Sequence, residues 1–167
     1  MHTLIIGGTE SGKTTLAKRI VGAAKNEGLL SIVYDPLANT DWGAEYQTDN
    51  EELFLRCVWA SRNCLIFCDE AGETVQRYNP DMAKIFTRGR HYGHSCFALA
   101  QKSTQINPLV RDQCGAVYLF GCGLPTAKTL AEECIEPELL RPAENGWVRG
   151  KYIYKRRFGE CLEGAIF

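Results

Sequence analysis

Residues 7–14, Gly7-Gly8-Thr9-Glu10-Ser11-Gly12-Lys13-Thr14, satisfy the pattern GxxxxGK[ST] at every fixed position. Glycines let backbone N–H groups turn toward a shared anion, and the N-terminus of a following helix adds partial positive charge. Lys13 is placed to reach the β- and γ-phosphates of a nucleoside triphosphate, and the Thr14 hydroxyl to ligate Mg²⁺. Thr9, Glu10, Ser11 and Thr15 complete the cradle. ATP and Mg²⁺ are therefore the expected ligands. The cradle leaves the fate of the phosphate open, because kinases, GTPases and motors share it.

A second constellation narrows the chemistry. Cys64-Leu-Ile-Phe-Cys-Asp69-Glu70 is an apolar run that ends in two carboxylates. Asp69 is placed to hold Mg²⁺ through its water shell, and Glu70 to orient and deprotonate an attacking water. A second carboxylate points to hydrolysis, whereas a kinase needs an acceptor site. A further buried run, Ser95–Ala100, ends in Gln101. In sheets of this type binding residues collect at the carboxyl ends of strands, where a Gln amide can donate to a phosphate oxygen and accept from the attacking water.

The elements that must position these residues alternate between strand and helix, which predicts an α/β fold with a mainly parallel sheet. The pattern gives a strand at Thr3–Ile6, a helix over 13–27 stopped by Gly28, and a strand at Leu29–Tyr34. Residues 37–48 read as loop. Asp49 and Glu52 form a capping-box pattern before a helix over 50–61. After the strand Cys64–Asp69 comes a loop, then Asn79–Pro80 as cap and first turn of a helix to about Tyr92. Ser95–Gln101 is a strand, Asn107–Pro108 opens a short helix to about Gln113, Ala116–Phe120 is a strand and Pro125–Cys134 a helix. Glu136–Pro142 reads as a turn. Trp147–Arg149 and Lys151–Arg156 read as a C-terminal hairpin about Gly150. One domain is expected to fill residues 1–167.

Composition is that of a globular chain, with 45% apolar and 23% charged residues. No apolar run is long enough to span a bilayer, and the N-terminus lacks a basic signal region, so a cytoplasmic protein with no membrane segment is expected. The eight cysteines form no CxxC pair, and read as reduced, partly buried residues. Net charge is −1, but residues 149–157, RGKYIYKRR, carry five positive charges and no acid. Lys84, Arg88, Arg90 and His91 form a second basic cluster. Either could steer double-stranded DNA or serve as a solvated face.

Taken together, CDEAGE, TRGRHYGHS and FALAQ across residues 64–101 resemble the FtsK–HerA superfamily of ring-forming DNA pumps. The closest look is to genome-packaging ATPases of tailless, internal-membrane phages and related viruses. The specific part is Arg-Gly-Arg-His-Tyr-Gly-His, followed by Gln101 and by Asn107-Pro-Leu-Val-Arg111. The resemblance implies a P-loop NTPase three-layer fold of RecA/ASCE type with a C-terminal β-hairpin. It also implies a homo-oligomeric, hexameric ring that pumps double-stranded DNA, with capsid or vertex proteins as partners and a place at the virion packaging vertex. In that superfamily an arginine before the sensor strand enters the neighbouring subunit's site. Arg90 matches it, with Arg88 and Arg111 as weaker matches. Rival readings are a filamentous-phage extrusion ATPase, a small nucleotide or metabolite kinase, and an assembly protein that binds ATP but barely turns it over.

Overall fold

The computed structural model describes residues 1–38, 40–75 and 79–167. Eight strands form one sheet in the order β3-β2-β4-β5-β1-β6-β7-β8. They are β1 (His2–Ile6), β2 (Ser31–Tyr34), β3 (Tyr46–Thr48), β4 (Leu65–Cys68), β5 (Ser95–Ala100), β6 (Cys114–Phe120), β7 (Lys151–Arg156) and β8 (Cys161–Ala165). The first six pair in parallel, and β7 and β8 add antiparallel. The carboxyl ends of β1–β6 therefore share one edge with the start of β7 and the end of β8.

Side chains alternate across the sheet, so the strands between its two edges feed two cores. On one face Ile5, Val33, Phe67 and Leu99 pack against Leu16, Ala17 and Val21 of α1 (Lys13–Asn26) and against Trp42. Phe67 and Phe97 stack there with ring centroids 4.5 Å apart. On the other face Leu4, Ile6, Ile66 and Ala98 meet α2 (Glu51–Ala60), α4 (Pro80–Arg88), α5 (Pro108–Gln113) and α6 (Leu124–Cys134), through Phe54, Phe86, Val110 and Leu130. This is the α/β class with a mainly parallel sheet that the alternating pattern predicts, and the three-layer P-loop NTPase architecture that the resemblance implies. Among the described residues no helix is long and apolar enough to cross a membrane.

Three helix starts are set by asparagine. The Asn50, Asn79 and Asn107 side chains accept from the amides of Leu53, Met82 and Leu109. Each satisfies an amide that lacks an intrahelical acceptor. The first of these corrects the capping box: Asn50, not Asp49, is the cap, because its oxygen is the one bonded to Leu53 N at 3.0 Å. Part of the stretch read as loop over 37–48 is the edge strand β3, and a short helix α3 (Ala71–Thr74) follows Glu70. Residues 76–78 of the expected loop lie outside the described residues. Glu136–Pro142 is largely a 3₁₀ helix, Pro137–Ala143.

The hairpin is also corrected. β7 pairs with β8, with Lys151 opposite Ala165, and the connection runs through residues 157–160. Trp147–Arg149 is not a strand. The amide of Gly150 donates instead to the carbonyl of Ser11, at 3.2 Å.

At the opposite edge His2 opens β1 and is 4% exposed. Its Nδ1 accepts from the Cys96 amide at 3.1 Å. Burial, the nearby N-terminal ammonium and Arg90 lower its pKa from 6.5 to about 4. A base whose folded pKa is depressed binds its proton first in the unfolded chain, so its contribution is intact above about pH 6.5 and is lost as pH falls toward 4. Between pH 7 and pH 4 the parent should lose about 3 kcal/mol more unfolding free energy than His2→Gln. Urea denaturation of both at a series of pH values checks this, and parallel curves would contradict it.

Candidate nucleotide site

The cradle begins where β1 ends. Gly7 N bonds Ala100 O at 3.2 Å and Gly8 N bonds Gly121 O at 2.8 Å, so the loop is anchored between the ends of β5 and β6. Gly12 caps α1 at φ +114°, a conformation natural only to glycine, and a Cβ there would collide with Cδ1 of Ile166. Glu10 is also left-handed, at φ 59°. The amides of Lys13, Thr14 and Thr15 open α1 and point out of its N-terminus, where an anion is favoured. Lys13 Nζ donates to the carbonyls of Gly7 and Gly8, at 2.7 and 2.8 Å. Its ammonium thus already spans the loop. Burial lowers its pKa, opposed by the charges of Glu70 and Asp69.

Asp69 and Glu70 directly follow β4, two strands from β1 with β5 between them. The backbone turns sharply here: Glu70 sits at φ 46°, and its amide donates to Asp69 Oδ1 at 2.9 Å. A left-handed non-glycine residue is strained by about 1–3 kcal/mol, and such residues cluster at active sites and ligand clamps. Burial pushes the Asp69 carboxyl up to about 6, against the pull of the Glu70 amide bond; Glu70 and Asp35 raise it further and Lys13 lowers it. Gln101 follows β5 and is exposed, immediately beyond Ala100, whose carbonyl anchors Gly7. The structure therefore brings residues 7–15, Asp69, Glu70 and Gln101 to one edge. The donors are hard oxygens beside an anion cradle, a set that suits Mg²⁺ and a polyphosphate.

Arg90 is elsewhere. It lies in the 3₁₀ turn Gly89–Tyr92 ahead of β5, exposed, and close enough to lower the pKa of His2. The five residues of β1 separate it from the cradle, a span of about 16 Å that an arginine side chain cannot bridge. Arg88, at the end of α4, lines a separate groove of about 620 Å³ with Trp59 and Tyr92. Arg111 is committed to structure: it pairs with Glu133 at 2.7 Å and donates to the carbonyls of Ser103 and Ile106.

The basic run 149–157 is largely neutralised by acids remote in sequence. Lys151 pairs with Glu163, Lys155 with Glu136 and Arg157 with Asp112. What the sequence reading missed is the docking of this segment on the cradle. Arg149 Nε donates to Glu10 O at 2.9 Å, Gly150 N to Ser11 O, and Ile166 is buried against Gly12. The nearest signal was Gly150 itself, read instead as the hairpin turn.

No curated protein matches the chain. Solved structures do. The genome packaging NTPase B204 from Sulfolobus turreted icosahedral virus 2, in complex with ATPγS, superimposes with a TM-score of 0.78 at 16% identity, covering 99% of this chain and 97% of that one. The DNA-packaging ATPase B204 from Sulfolobus turreted icosahedral virus gives 0.81 at 16% identity, with 99% and 98% covered. The pCW3 conjugation coupling protein TcpA gives 0.72 at 14% identity, covering 97% of this chain and 58% of that one. These likenesses show the fold. A family profile, that of zonular occludens toxin (Zot), matches residues 7–153. The Zot domain is a P-loop ATPase family related to the FtsK–HerA-type packaging ATPases that the sequence resembles. With the profile running from the first glycine of the cradle into the C-terminal hairpin, this chain belongs to the Zot family.

Proposed function

We propose that residues 1–167 act as one ATPase domain that hydrolyses ATP to move double-stranded DNA, as a genome-packaging motor working in a homo-oligomeric ring. One observation supports this above the others. The cradle, the acid pair and Gln101 share one edge of the sheet, while Arg90 stands at the opposite edge, out of reach of its own cradle. An exposed arginine in that position suits completion of a neighbour's site. Thr14 and Asp69 would hold Mg²⁺, which supplies charge neutralisation at the β- and γ-phosphates. Lys13 holds the phosphates, Glu70 takes the proton of the attacking water and Gln101 positions that water against the phosphate. The B204 proteins, named for genome or DNA packaging, share the whole fold and so favour a packager over a kinase. In this reading the ring is hexameric, works in the cytoplasm and docks on capsid or vertex proteins. The deciding measurement is steady-state ATP hydrolysis with and without double-stranded DNA. Stimulation is expected, and an unchanged rate over a range of DNA concentrations would reject DNA movement.

The pairing of the basic run changes which residues should track DNA. Lys155 is 11% exposed and tied to Glu136, so its reversal would disturb the hairpin itself. Arg88, Arg90, His91 and Arg156 are exposed and make no ion pair among the described residues. Arg88→Glu and Arg156→Glu should each lower the slope of log affinity against log salt by about 0.9 for every phosphate that the variant no longer neutralises. Unchanged slopes in both variants would remove these patches from the DNA path.

A further inference from the structure

We propose that the base of the bound nucleotide stacks on Phe167 beside Arg149, and that this seat holds a nucleobase while reading little of its identity. The inference rests on the cradle reading above. The acid pair and Gln101 follow β4 and β5, both on one side of β1. A γ-phosphate in the cradle would face that side, so the nucleoside leaves on the other, over the end of β6, the start of β7 and the end of β8. That surface is fixed to the cradle by the Arg149–Glu10 and Gly150–Ser11 bonds and by Ile166.

On this surface Phe167 is 72% exposed. Its ring lies over Gly150, where a Cβ would collide with it, and the Arg149 guanidinium stands 5.6 Å from the ring centroid. An exposed aromatic flanked by a cation, beside a phosphate cradle, presents the flat apolar face on which a nucleobase stacks. Stacking tolerates any base, because every base has a π-face. Strong discrimination instead needs polar groups built to pair with the base edge. Among the described residues the buried polar side-chain atoms without a partner belong to His2, Ser11 and Ser31. His2 and Ser31 open β1 and β2 at the far edge, and the Ser11 hydroxyl lies within the loop against Gly7. None is placed to read a base.

The test uses the 167-residue chain and titrates the Mg²⁺ salts of ATP, GTP, CTP and inorganic tripolyphosphate. The parent should bind the three nucleotides within about tenfold of one another. Phe167→Ala should weaken each nucleotide about tenfold and leave tripolyphosphate within about twofold, and Phe167→Trp should restore the nucleotides. An equal loss for tripolyphosphate would show that Phe167 only shapes the cradle through Gly150, and would overturn the seat. So would unchanged nucleotide affinity in Phe167→Ala, or a parental preference for one base beyond about a hundredfold. Lys13→Ala separates the two readings. It should weaken nucleotide and tripolyphosphate alike, and if it weakens neither, the cradle reading itself fails whatever Phe167 does.

Discussion

Glu70→Gln should bind ATP with near-parental affinity and hydrolyse it about 10²–10⁴-fold more slowly, the range that a positioned general base supplies. In the proposed site the affinity is preserved because the groups assigned to the phosphates lie elsewhere, in the amides that open α1 and in Lys13, which bridges the Gly7 and Gly8 carbonyls. The substitution is close to isosteric, and the amide of residue 70 still donates to Asp69 Oδ1, so the turn after β4 is retained. Loss of turnover would therefore report chemistry, not unfolding. Lys13→Ala is the contrasting variant, expected to lose affinity as well as rate. Calorimetric binding and steady-state phosphate release on the same preparations distinguish them. Near-parental hydrolysis by Glu70→Gln would remove Glu70 as the base.

Arg90→Ala should be as inactive as that variant while binding ATP normally, because an arginine supplied by a neighbour is typically worth about 10³–10⁵ in rate. The informative experiment mixes the two inactive proteins under conditions that allow subunits to exchange. Where a subunit with intact Glu70 holds ATP beside one with intact Arg90, the interface contains a complete site, and part of the activity returns. The position of Arg90 at the edge opposite its own cradle makes action within one subunit geometrically impossible for this fold. Failure to recover activity, with mixing demonstrated by a labelled subunit, would therefore strip Arg90 of a catalytic part altogether. Arg88→Ala in the same mixture tests the exposed arginine two residues earlier in the chain. Arg111→Ala should instead lower stability, since its guanidinium holds Glu133 and the carbonyls of Ser103 and Ile106.

What was legible in the sequence was what neighbours in the chain decide. The cradle motif, the apolar run before Asp69 and the Asn-Pro starts at 79–80 and 107–108 each carry their geometry within a few residues. The strand that positions Gln101 was legible for the same reason. The capping error at Asp49 came from the Asp49–Glu52 spacing, which fits the box, whereas the oxygen that reaches the Leu53 amide belongs to Asn50, whose third residue on is an apolar leucine. The hairpin error was of another kind. Trp147 and Val148 have strand-like side chains, but the Gly150 amide that follows goes to the cradle, a partner 139 residues away in sequence, as the Arg149–Glu10 bond also is. The true partner, Cys161–Ala165, contains a glycine and an acid and has little strand character by composition. β3 was missed because it is three residues long and exists only by pairing with β2 across a long connection. The neutralisation of the basic run was invisible for a related reason: Glu136, Asp112 and Glu163 are brought to it only by the fold.

The docking of the hairpin on the cradle has a mechanical consequence. β7 runs the full depth of the sheet, about 20 Å for its six residues, from Lys151 beside the cradle to Arg156 at the edge where Arg90 stands. Its upper end is bolted to Ser11 through Gly150, and Ile166, beyond the end of β8, is wedged against Gly12. Arg157 fastens its lower end to Gly115 and Asp112. The hairpin is thus a strut fixed at both edges. A load applied at the lower edge, by a neighbouring subunit or by a strand of nucleic acid, has a stiff path to the residues that would grip the phosphates. A glycine inserted between Arg156 and Arg157 would loosen the lower fastening and uncouple the two ends while leaving the upper one in place.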